Sequence, residues 1–225
     1  MGKIFKASAF LAGVILLGIV VNFIQVRKNS SILRETGPTQ SLEDNFQDRE
    51  EPAQRNSSNF ETPVERAGER ISKKPFGIYI TRENSPVSPE RFSGYHTGTD
   101  FEIFPEEMNQ EVSVKAICAG KLRVKEYADG YGGVAVEECE LDGVSMTVVY
   151  GHLNLSSIIL KLGDDVLAGE KLGILGEDKS FETDGERKHL HLGIHKGSAI
   201  NIRGYVSSKS QLSNWIDPCL LVCEK

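Results

Sequence analysis

The sequence has no strongly basic cluster, no internal repeat and, beyond its N-terminal apolar run, no long helix-period segment. Lysine and arginine number 26 against 32 aspartates and glutamates, a formal net charge of −6 that argues against nucleic acid as a partner. No HExxH occurs, which excludes the helical zincin arrangement and any glutamate base of that kind. Cysteine is sparse, and the first is Cys118, so no thiol stands near the N-terminus for a lipoprotein anchor. In an oxidising compartment Cys118, Cys139, Cys219 and Cys223 could form two disulfides in any of three pairings; for Cys118 and Cys139, in apolar or strand-like contexts, buried thiols are the alternative. One tryptophan, six tyrosines and ten phenylalanines suffice for the modest core of one domain.

What is present divides the chain into three parts. Ala7 to Val26 is a run of 20 residues without a charge, long enough as a helix to span the roughly 30 Å hydrocarbon core of a bilayer. Residues 1–28 are therefore read as an N-terminal transmembrane anchor. Lys3 and Lys6 balance Arg27 and Lys28, and the free amino group tips the orientation toward N-terminus inside. A cleaved signal peptide is the competing reading, but its apolar region would be shorter and no A-x-A-like site follows. Residues 29–74 are rich in Ser, Asn, Gln, Glu, Arg and Pro without a sustained period, and read as a disordered linker with a reach of roughly 35–40 Å. Residues 75–225 form the expected exported domain. Its short β-branched or alternating runs (VSVKAI, GKLRVKEY, GVAVEE, SMTVVYG, HLHLGI), bounded by ADGYGG and LDG turns, predict an all-β, antiparallel fold.

All five histidines lie between His96 and His195, four of them in GYHTGTD, YGH and HLH. Imidazole is the commonest zinc ligand and the usual acid or base near neutral pH. Gly94 and Gly98 disfavour a helix through GYHTGTD, and in an extended segment His96 and Asp100 point the same way. Alternation through HLHLGIH puts His189, His191 and His195 on one face and Leu190, Leu192 and Ile194 on the other, which must be core. His, Asp and His make a mixed nitrogen and oxygen shell for zinc, with a fourth position left for water. A buried His–Asp hydrogen bond would be the default for His96 and Asp100 if that pair stood alone.

GYHTGTD, YGHL, LGDDVLAGEKLGILG and HLHLGIH occur in the same order as in the lysostaphin/LytM-type zinc endopeptidases, and the resemblance covers Pro75 to Pro218. It implies a compact antiparallel β domain with one Zn2+ in a groove, acting on peptide bonds in the stems or cross-links of peptidoglycan. By motif position, His96, Asp100 and His191 would be the zinc ligands, and His152 and His189 the catalytic pair flanking the metal. One of the pair would take a proton and the other support the oxyanion; motif position does not say which. An anchored domain on a flexible stalk, outside the membrane, suits an insoluble wall, and no regulatory partner is named by the sequence.

Where the family often has Ser/Thr-Gly-Pro before HLH, this chain has TDGERKHLH, so Glu186, Arg187 and Lys188 are expected to put charge on the groove's rim. His195 reads as a solvated surface histidine, with a substrate contact as the alternative, and Tyr95 and Tyr150 either line the groove or pack. Two rival classes remain. One is a non-catalytic relative that binds wall or activates an amidase, against which stands the retention of all five motif positions. The other is a lipoyl-type carrier suggested by GDDVLAGEKLG, with Lys179 as the modified lysine; the anchor and the histidines argue against it.

Overall fold

The computed structural model describes residues 60–223. The expected anchor and residues 29–59 of the linker fall outside these, and among the described residues no helix is long and apolar enough to cross a membrane. The linker boundary at Lys74 does not hold. Phe60, Val64 and Ala67 are buried in the main core, and Glu61 N donates to the Ile117 carbonyl as Lys115 N does to that of Pro63. Apolar residues spaced too irregularly to show a period are recruited one at a time by a surface already formed elsewhere. The domain therefore begins by Phe60.

Among the described residues there are thirteen strands: β1 (Tyr79–Ile80), β2 (Gly94–His96), β3 (Gly98–Glu102), β4 (Ser113–Lys115), β5 (Gly120–Ala128), β6 (Gly132–Leu141), β7 (Val144–Gly151), β8 (Leu153–Asn154), β9 (Asp165–Val166), β10 (Lys171–Leu175), β11 (His189–Lys196), β12 (Tyr205–Val206) and β13 (Trp215–Ile216). The only α-helical segments among the described residues are two single turns, Lys209–Leu212 and Cys219–Val222. Every strand pairing is antiparallel, as the alternating pattern predicts. The long sheet runs β13-β11-β7-β6-β5-β9, with β3 added to the edge of β11 beside β13. Two three-stranded sheets, β1-β2-β12 and β4-β10-β8, fold against it.

Local chemistry explains the long hairpin. Asp142 and Gly143 both take positive φ (50° and 76°), the two-residue turn whose twist matches its strands, and Leu141 pairs directly with Val144. One face of the long sheet carries Leu190, Leu192, Ile194, Phe101 and Val148 into the main core; the opposite face of β11 carries the histidines. The cysteines pair as Cys118–Cys139, tying the start of β5 to β6, and Cys219–Cys223.

Candidate metal centre

Strand register delivers the polar side chains to one point. On the β11–β3 pair His191 lies opposite Asp100 and His189 opposite Glu102, all on the face away from the leucine core. His96 enters from the end of β2, one residue before the chain crosses into β3. His96 Nε2 is 3.0 Å from His191 Nδ1, and Asp100 Oδ1 lies 3.3 and 3.1 Å from these two atoms. All three side chains are buried, and among the described residues no fourth ligand joins them.

This triangle can be tested against a metal. Zinc held by nitrogen and oxygen at about 2.0–2.1 Å in a tetrahedron separates its ligand atoms by roughly 3.3 Å. The three observed separations are close to that edge. His96 Nδ1 stands 3.3 Å from the Pro75 carbonyl, a partner that takes the ring's one proton there and leaves Nε2 as a lone pair aimed inward. Acceptor atoms crowded together out of water repel unless protons or a cation lie among them. The residues present fit a zinc ion.

Close packing around the triangle requires glycine. A Cβ on Gly98 would meet the Leu192 carbonyl oxygen at 2.4 Å and the His191 ring at 2.7 Å; one on Gly151 would meet the Tyr131 ring at 2.4 Å. Both glycines lie on strands flanking β11 beside His191. They explain why the histidines come in glycine-flanked motifs.

His152 and His189 stand together, ring centroids 4.3 Å apart. His152 sits at the corner where the chain leaves β7 for β8, with left-handed backbone (φ 65°), a conformation that favours residues with reason to be there. Its Nδ1 is buried without a hydrogen-bond partner. Burial, followed by the nearby His189, holds its pKa well below the ordinary imidazole value, so it is neutral at pH 7. His189 is placed differently. Its Nδ1 lies 2.7 Å from the Arg187 carbonyl and its Nε2 3.3 Å from Asp100 Oδ2, so each nitrogen faces an acceptor.

Burial also lowers His191, to about 4. For Asp100, burial would raise the carboxyl, but the facing His189 and His96 outweigh it and hold it well below its usual range. A pocket of about 360 Å³ opens over these groups, walled by Lys74, Phe92, Tyr131, Arg203 and Tyr205.

The model of "Peptidase family M23" matches residues 94–202, a stretch that contains every one of these histidines and Asp100. Over that stretch, just under half of the chain, the sequence resembles peptidase family M23. No curated protein matches it. Among solved structures it is similar to LytU, at 26% identity over 66% of this chain and 81% of that one, with a TM-score of 0.44. It is also similar to Csd3 of Helicobacter pylori, at 28% identity over 68% of this chain but only 36% of that one, with a TM-score of 0.42. A zinc-containing peptidase from Vibrio cholerae matches at 21% identity over 65% of this chain and 41% of that one, with a TM-score of 0.40. The family likeness rests on the sequence match.

Against the M23 motif order, the ERK segment departs from expectation. Glu186 lines the pocket and is bonded by Arg91 Nε at 2.9 Å. Arg187 turns inward, with Nη2 2.8 Å from Asp100 Oδ2 and the guanidinium gripping Glu102. Lys188 is fully buried on the other side, its Nζ 2.7 Å from the Gln110 carbonyl. The alternation of β11 continues upstream of His189, so consecutive charges go to opposite faces. Tyr150 packs rather than lining the groove: it is fully buried and its hydroxyl donates to Glu137 Oε2 at 2.6 Å. Tyr95 sits edge-on to Tyr79, and His195 is half-buried edge-on to Trp215, neither of them lining the pocket.

Sequence reasoning missed Glu102, Lys74 and Tyr131. Glu102 had a signal, since it lies two residues past Asp100 and so shares its face. Lys74 had none: it was assigned to the linker, yet it is buried in an ion pair of 2.6 Å with Glu90 and donates to the Tyr205 hydroxyl at 3.1 Å.

Proposed function

We propose that this chain is a zinc metallo-endopeptidase that hydrolyses peptide bonds in peptidoglycan stems or cross-links. A transmembrane helix over residues 7–26 would hold the domain on the extracytoplasmic side, within reach of the wall. The observation that carries the reading is the meeting of His96, Asp100 and His191 in one groove, with the His152–His189 pair beside them. The match of residues 94–202 to the peptidase family M23 model supports it.

His96, Asp100 and His191 would hold the ion. Zinc, when bound, supplies Lewis acidity, polarising a carbonyl and acidifying water. His152, neutral and with a buried unpartnered nitrogen, is equipped to accept a proton at Nδ1 and return it to a leaving amine. His189, turned by the Arg187 carbonyl at Nδ1, would donate from Nε2 to negative charge building on the carbonyl oxygen, exchanging its longer 3.3 Å approach to Asp100 Oδ2 for that contact. These side chains are themselves buried, and the low local dielectric strengthens each of these interactions.

The test is incubation of the full chain with purified peptidoglycan, followed by mass spectrometry of released fragments. New free amines that disappear with a chelator and return with zinc are expected. An intact wall that retains the protein would sink the peptidase and leave a wall-binding relative.

A further inference from the structure

Arg187 stands two residues before the first histidine of HLH, and the structure gives it an unusual set of partners. Its Nη2 bonds Asp100 Oδ2 at 2.8 Å and Glu102 Oε1 at 2.5 Å, while Nε lies 3.0 and 2.9 Å from the two Glu102 oxygens. The side chain is 15% exposed and Asp100 is 3% exposed, so little water competes for these bonds.

The consequence for Asp100 is a division of labour between its two oxygens. Oδ1 faces His96 Nε2 and His191 Nδ1, whereas Oδ2 is committed to Arg187 and lies 3.3 Å from His189 Nε2. A carboxylate held at one oxygen by a planar guanidinium presents only the other to a cation. Charge is balanced at the same time. Arg187 alone would cancel Asp100, but Glu102 returns one negative charge, and half-buried Lys73 reaches Glu102 at 3.2 Å.

We infer that Arg187, backed by Glu102, is a positioning residue that holds Asp100 as a one-oxygen metal ligand and so fixes the coordination number of the centre. The inference rests on the zinc reading above. It assigns Arg187 no contact with substrate or metal; the residue acts through Asp100. Glu102 serves as its anchor, on the strand position that alternation places beside Asp100.

The test uses the full chain as wild type, Arg187→Lys, Arg187→Met and Glu102→Gln. Zinc affinity is read by competition with a chromophoric chelator, and coordination by the visible spectrum of the cobalt(II)-substituted protein. Wild type is expected to bind one zinc and give the intense cobalt bands of four-coordination. Both Arg187 variants should bind zinc about 10–100-fold more weakly, the usual cost of losing a partner that orients a ligand. Their cobalt bands should lose intensity as Oδ2 becomes free to bind and the coordination number rises. Lysine should fail to rescue, because it keeps the charge without the fork. Glu102→Gln, which leaves Arg187 and Asp100 in place, should shift both readouts in the same direction by less, and it serves as the test if the Arg187 variants do not fold.

Unchanged affinity and an unchanged spectrum in the Arg187 variants would overturn the inference. So would tighter zinc binding by Arg187→Met, which would mean that Arg187 acts only as an opposing charge, or full rescue by lysine. Failure of wild type to bind zinc would instead remove the reading on which the inference stands.

Discussion

Glu137 offers the sharpest test of the packing, because it is a carboxyl on the wrong face of its strand. It lies on β6 opposite Val148, 1% exposed in the main core, with Oε1 unpartnered and Oε2 receiving only the Tyr150 hydroxyl at 2.6 Å. Burial pushes its pKa up to about 8 from 4.5. Between those two values the folded chain keeps a proton that the unfolded chain has released. Folding stability therefore falls as pH rises through that window, by about 1.4 kcal/mol per unit at most and roughly 5 kcal/mol across all of it. Glutamine reproduces the shape and hydrogen-bonding capacity of the protonated carboxyl but cannot ionise. Glu137→Gln should match wild type within about 1 kcal/mol at pH 4.5–5 and exceed it by several kcal/mol at pH 8.5. Thermal melts of both proteins from pH 5 to 9 check this, at roughly 2–4 °C per kcal/mol for a domain of this size. Parallel stability curves for the two proteins would refute the assignment of a neutral buried carboxyl.

Three further predictions concern the site and its frame. His191→Ala should lose stoichiometric zinc, while His152→Ala should keep zinc and lose turnover by about 100-fold or more; metal analysis beside a cleavage assay separates the two, and retained stoichiometric zinc in His191→Ala would show the ligand assignment to be wrong. Gly98→Ala drives a methyl against the Leu192 carbonyl and the His191 ring, so it should cost about 1–3 kcal/mol of stability and weaken zinc binding together; a melt and a chelator competition that both match wild type would contradict the packing. Replacing Cys118 and Cys139 by serine opens a link with a sequence separation of 21, and chain entropy puts the loss near 3 kcal/mol, measurable by denaturant titration in oxidising buffer.

Much of the site was legible in the residues. HLHLGIH announces its two faces by alternation, and the structure buries Leu190, Leu192 and Ile194 as that pattern demands. GYHTGTD carries its own reason for glycine at position 98, although only the contact with His191 reveals it. The charges of ERK were visible, but their destinations were not. Reading them as a rim assumed a loop, whereas strand-like alternation sends Arg187 to the ligand and Lys188 to the core. Residues 60–74 were misread because polar composition resembles a linker when the surface that buries its few apolar side chains is formed by distant strands.

The sequence by itself determined the periodic and local features: antiparallel strands, the Asp142–Gly143 turn, the face on which each histidine of β11 lies, and the order of motifs that marks the family. These depend on side-chain alternation and backbone freedom, which neighbouring residues fix. Tertiary structure alone decided which groups meet. His96 reaches His191 across a sequence separation of 95, and Arg187 reaches Asp100 across 87. Such contacts arise from the register of β3 on β11 and the folding of one small sheet over the long one. Their energies, and the protonation states of His152 and Glu137, come from burial, a property no residue carries until the chain has closed around it.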